Sequence, residues 1–139
     1  MIEISDFDSF LQAAREQPES QRLLFVLVKT VLPEDADATE TARFEAGQGG
    51  GLLPVMYVDK DPEGVNGFQA LVEESRQMGE DWNILLAGAL TGRNGQPPSQ
   101  EDVDEAFSSI IKQIHAGGDL SGLLAFHRDG TPLHFESGP

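Results

Sequence analysis

Read as a pattern of apolar and polar positions, the chain alternates between helical and extended spacing. Phe7, Phe10, Leu11 and Ala14 recur at i, i+3, i+4 and i+7, Ser5 or Asp6 stands where a helix cap belongs, and Pro18 follows. Arg22 to Leu32, centred on LLFVLV, is apolar without alternation and predicts a strand covered on both faces, stopped by Pro33. Asp35 to Ala46 begins acidic, as a helix N-terminus prefers, but its apolar face is thin, with only Ala38, Ala42 and Phe44. Leu52 to Val58 is a second apolar strand, entered from the glycines at 47, 49, 50 and 51 and left through Asp59, Lys60, Asp61 and Pro62.

Beyond it, Val65, Phe68, Leu71, Val72 and Met78 predict a helix over 65–78, ended by Gly79. Asp81 to Leu90 reads as a third strand and Gly92 to Pro98 as a loop. Ser99 and Asp102 then form a capping-box pattern before the stripe Val103, Phe107, Ile110, Ile111 and Ile114. At the end, Asp129-Gly130 between LLAFHR and TPLHF predicts a two-residue hairpin turn that pairs Arg128 with Thr131. Leu124, Phe126, Leu133 and Phe135 then share one face, and Ala125, His127, Pro132 and His134 the other.

This order predicts an α/β single-domain sandwich over residues 1–139: a mostly parallel sheet of three to five strands, with a C-terminal antiparallel hairpin at one edge. Pro54 points to a bulged or unpaired start of its strand, and Pro132 to an edge position for the last one.

Composition narrows the chemistry. Apolar residues make up 39% and charged residues 24%, ordinary for a globular chain that folds without staples. There is no Cys, which excludes thiolate nucleophiles, Cys-built zinc sites, iron–sulfur clusters and disulfide exchange. Against 24 acidic residues stand 9 basic ones, for a formal charge of -15. The basic residues are scattered singly, so nucleic acid and anionic membranes are not expected partners. The start MIEISDFDSF has no signal-peptide character, and a cytoplasmic location is expected.

Parallel strands would gather Lys29 and Thr30, then Asp59, Lys60 and Asp61, then Thr91, Arg93 and Asn94 at one rim, where α/β proteins bind ligands. Asp59, Lys60, Asp61, Thr91 and Arg93 are the candidate ligand-binding residues. The Asp59-x-Asp61 pair after an apolar strand superficially resembles phosphotransferases of the haloacid dehalogenase type, which carry the pair on their first strand. The resemblance implies a nucleophilic first Asp and a bridging Mg²⁺. Here Pro62 follows directly and no later acidic pair is placed to hold the metal, so the residues read better as a strand-ending turn.

His127 and His134, as diagonal neighbours roughly 7 Å apart on the hairpin, are candidate metal ligands. His115 suits the end of a helix. The glycine loop at 47–51 lacks the strand-loop-helix order of a phosphate cradle, and no serine-hydrolase, Walker or zinc-protease motif occurs. No catalytic residue is identified and no cofactor is expected.

The segments QRLLFV, ARFEAGQGG, the DKDP turn, LVEESRQMGEDW, the LTGR turn and FHRDGTPLHF together resemble, over nearly the whole chain, a family of small bacterial proteins of unknown function. Its members often carry, by automated transfer, the label of a ribonucleotide reductase alpha subunit. That activity resembles a barrel several times longer and needs Cys for its radical and its dithiol, so the label does not suit this cysteine-free chain. The leading reading is a non-enzymatic, acidic protein that binds a protein partner or forms a homo-oligomer, through a strand edge or an acidic face. The rival is a small-molecule or phosphate-ester enzyme at the Asp59 rim.

Overall fold

The computed structural model describes residues 6–31, 37–45, 51–79, 81–116, 120 and 123–133. The elements are α1 (Phe7–Arg15), β1 (Gln21–Val31), α2 (Ala38–Glu45), β2 (Gly51–Lys60), a 3-10 turn at Pro62–Gly64, α3 (Phe68–Gln77), β3 (Ile84–Thr91), α4 (Gln100–Ala116), β4 (Leu124–His127) and β5 (Pro132–Leu133). They form one five-stranded sheet in the order β2-β1-β3-β4-β5.

Every neighbouring pair in that sheet is antiparallel, which overturns the mostly parallel α/β sandwich predicted from the order of elements. The fold is α+β. The reason lies largely in α2. A helix carries a chain back across a sheet to a parallel neighbour by burying its own apolar face on the way. The described side chains of α2, at 38–42, are exposed or half-exposed and cover no sheet, and β2 begins beside the end of β1, with Gly51 opposite Val31. One crossover of the expected kind does form. Both β2 and β3 run antiparallel to β1, so they are parallel to each other with β1 between them, linked through the buried face of α3.

The long apolar run in β1 is explained by its place in the middle of the sheet, covered on both sides. Leu23, Phe25 and Leu27 pack with Phe7, Phe10 and Leu11 of α1 and with Phe68 and Leu71 of α3. Leu24, Val26 and Val28 face the other way, onto Val103, Phe107 and Ile114 of α4. This is the period-two alternation of a strand applied to two cores at once. Trp82, predicted within the third strand, lies just before β3 and fills the first core at 1% exposure.

At α1, the Asp6 carboxylate accepts the Ser9 backbone N–H at 2.8 Å, and the Ser9 hydroxyl accepts the Asp6 N–H at 3.0 Å. Hydrogen bonds donated by Ser9 to the Asp6 carboxylate, that from its backbone N–H foremost, hold the carboxyl below its ordinary value of 3.8. A lowered folded-state value means that its contribution is present above 3.8 and is lost as pH falls through the lower folded value. Asp6→Ala should therefore lower the thermal midpoint at neutral pH, and the gap from the parent should close in strong acid. A gap that persists there would contradict a charge-assisted cap.

Two local details depart from expectation. Gly92 to Pro98 is not a plain loop: Arg93 and Gln96 exchange backbone bonds of 3.1 and 2.9 Å around Asn94 (φ 53) and Gly95 (φ 75), an Asn-Gly turn of the hairpin kind. At the C-terminal hairpin, His127 N–H donates to Thr131 O and Gly130 N–H to His127 O, both at 2.8 Å. The loop is thus three residues, Arg128 to Gly130, with Gly130 at φ 93. Arg128 does not pair with Thr131. Phe126 faces Pro132 and Ala125 faces Leu133, so Leu133 joins the α4 core instead of sharing the Phe126 face. A one-residue slip turns every side chain over. The expectations from the two prolines agree with the structure. Pro54 sits at a bulge between Leu27 and Val28, where Val55 has no partner, and Pro132 lies in the outermost strand.

Candidate functional site

The antiparallel sheet divides the predicted rim. Leu23 stands opposite Lys60 and Gln21 opposite Thr91, so the ends of β2 and β3 do meet at one end of the sheet. Lys29 and Thr30 stand opposite Leu53 and Leu52, at the other end. They do not join the cluster.

Within the cluster, alternation separates the polar side chains. Asp59 lies opposite Leu24 on the α4 side, where its carboxylate accepts Arg22 Nε at 2.6 Å. Lys60 points to the α3 side and donates to Glu74 at 2.9 Å. Asp61 is exposed at the start of the 3-10 turn, held by Gly64 N–H donating to its carbonyl at 2.8 Å. Arg15 secures the same turn by donating to the Pro62 and Val65 carbonyls at 3.2 and 2.8 Å. Thr91 is hydrogen-bonded to the Gln21 side chain, and Arg93 is exposed on the Asn-Gly turn. The five candidates share one end of the sheet, but they face different ways, and three of them are engaged with β1 or α3.

The Arg22–Asp59 pair, with side chains 37% and 24% exposed, is a surface ion pair. Asp59→Asn is expected to cost no more than about 1 kcal/mol in denaturant unfolding. A loss of several kcal/mol would contradict this peripheral role.

His127 is exposed beside Asn83, Arg128, Asp129 and Thr131 in a broad, open depression. Hydrogen bonds from Thr131 hold the Asp129 carboxyl below its ordinary value. His134 lies outside the described residues, as do the glycines at 47, 49 and 50. Because Arg128 and Thr131 are not paired, the register on which the two-histidine site was predicted is not formed. Among the described residues no group of three or more His, Asp or Glu side chains is arranged to hold a metal ion.

A different feature stands out at β2. This strand has one neighbour, β1, and its other edge belongs to no sheet partner among the described residues. None of its ten residues is fully buried, and Leu53 and Tyr57 are 44% and 57% exposed. Helices flank the edge on both faces. Tyr57 packs on Phe107 of α4, ring centres 4.8 Å apart, and Met56 and Val58 face α3, at whose end Met78 is 59% exposed. Read as an apolar run alone, Leu52 to Val58 resembles an interior strand. The signal of an edge is Pro54, which has no N–H to offer a sheet ladder.

Set beside family models, curated proteins and solved structures, the chain matches none. No helix among the described residues is long and apolar enough to cross a membrane.

Proposed function

We propose that this chain is a non-catalytic, cytoplasmic binding module that makes protein contacts through the outer edge of β2. The observation that carries the reading is a ten-residue edge strand with Leu53 and Tyr57 exposed on it and Met78 exposed beside it. An edge strand offers a row of backbone donors and acceptors to a further strand, and exposed apolar side chains along it mark a place of contact. Pro54 and the bulge at Val55 blunt the first half of the edge, which leaves Met56 to Lys60 as the regular part.

The rival reading, a small-molecule or phosphate-ester enzyme at Asp59, Lys60, Asp61, Thr91 and Arg93, has less support. Asp59 and Lys60 are paired with Arg22 and Glu74 on opposite faces of the sheet. The resemblance to the small bacterial family adds no catalytic residue to either reading. Nucleic acid and membrane remain unsuited as partners in this proposal, because the basic residues form no stripe.

A photo-crosslinking amino acid at position 57 tests the reading in living cells, with the same group at position 127 as the control. The proposal expects a discrete protein adduct from position 57 and none from 127. No adduct, or the same adducts from both positions, would overturn it.

A further inference from the structure

The β2 edge also carries information about what it receives. On the α3 side, Met56 and Val58 stand opposite Leu27 and Phe25 and so point toward the first core, yet both remain half-exposed. The helix above covers the centre of the sheet with Phe68, Leu71, Val72 and Ser75 and leaves the β2 margin open. What results is a shallow apolar slot with room for only about 20 Å³, walled by Met56, Val58, Leu71 and Met78, with Phe25 and Leu85 at its floor. A strand laid against β2 would place alternate side chains on this face, beside Met56 and Val58.

The charge around the edge selects among strands. Asp61 is exposed directly after β2, Glu63 and Glu74 stand near by in ion pairs with Arg15 and Lys60, and Glu101, Asp104 and Glu105 are exposed in the first turns of α4. The chain as a whole has 24 acidic against 9 basic residues. Five of the basic ones, Arg15, Arg22, Lys60, Arg76 and Arg128, are already in ion pairs. A second copy brings the same negative field and is repelled, whereas a basic segment is drawn in.

We infer that the outer edge of β2 receives an extended, basic polypeptide segment, which adds to the sheet as a further strand and rests its apolar side chains on Met56, Val58 and Met78 at the mouth of the slot between β2 and α3. This rests on the binding-module reading and supplies its partner class.

The test uses a fluorescent peptide that alternates lysine and valine, and its counterpart with glutamate for lysine, titrated by anisotropy at low and high salt. The basic peptide should bind, more weakly as salt rises, and should slow amide exchange over residues 56–60; the acidic peptide should not bind. Met78→Lys, an exposed substitution at the mouth of the slot, should weaken binding about tenfold or more. His127→Lys makes a comparable charge change on β4 and should leave binding nearly unaltered.

No binding of the basic peptide, equal binding of both peptides, equal loss in the two variants, or binding without protection of β2 would each overturn the inference. Protection of β2 without peptide, together with dimerisation as salt rises, would assign the edge to a second copy and overturn it as well. An adduct at position 57 without peptide binding would leave the edge in place as a contact surface and reject only the basic extended partner.

Discussion

Trp82→Ala is expected to lower the free energy of unfolding by about 3–5 kcal/mol, the range for removing a large aromatic side chain from a core. The indole is 1% exposed, and its N–H donates to Ser75 Oγ at 2.8 Å, while that hydroxyl donates to the Val72 carbonyl at 2.7 Å. The Arg128 guanidinium carbon lies 4.9 Å from the ring centre, and the same side chain donates to the Trp82 carbonyl at 3.1 Å. Trp82 thus ties α3, the entry to β3 and the C-terminal hairpin together. Against a total stability of about 5–15 kcal/mol, its removal should leave the chain close to unfolding. Trp82→Phe keeps most of the apolar volume and removes the donor, so about 1–2 kcal/mol is expected. Since Trp82 is the only tryptophan, unfolding should be followed by circular dichroism. A loss below about 1 kcal/mol for the alanine variant would contradict the packing described here.

The second large effect belongs to Phe7. Its ring lies 5.4 to 6.1 Å from those of Phe10, Phe25, Phe68 and Phe126, so one side chain joins α1, β1, α3 and β4. It is 3% exposed. Phe7→Ala should cost about 3–5 kcal/mol by the same argument, with the ring contacts placing it toward the upper end. Phe7→Leu, which retains most of the volume and loses the edge contacts, should cost clearly less. If α1 were only an appendage, both variants would unfold at nearly the parental denaturant concentration.

Much of the local structure was readable from the residues. The α1 stripe of Phe7, Phe10, Leu11 and Ala14 is the buried face of that helix, and Ser99 with Asp102 does cap α4, through bonds of 3.1 and 3.4 Å. Strand direction was not readable, because an apolar run such as LLFVLV reports burial on two faces and is silent about which way its neighbours run. Only the thin apolar face of α2 argued against a crossover between β1 and β2.

The hairpin slip has the same character. Asp129-Gly130 fits a two-residue turn and also the end of a three-residue one, and the choice is made by where Gly130 adopts positive φ. At the candidate site, the residue types around Asp59 were legible but their grouping was not. Period-two alternation sends Asp59 and Lys60 to opposite faces once the strand is extended through both. The outer position of β2 was carried by Pro54 alone.

Partner binding at β2 requires an uncovered strand edge, and residue-resolved amide hydrogen exchange of the isolated protein tests this most directly. Along Met56 to Lys60, amides that point to β1 should exchange slowly and their alternate neighbours fast, whereas β1, bonded on both sides, should be slow throughout. Uniformly slow exchange along β2 would mean that the edge is already occupied, and would contradict the proposal that it waits for a partner.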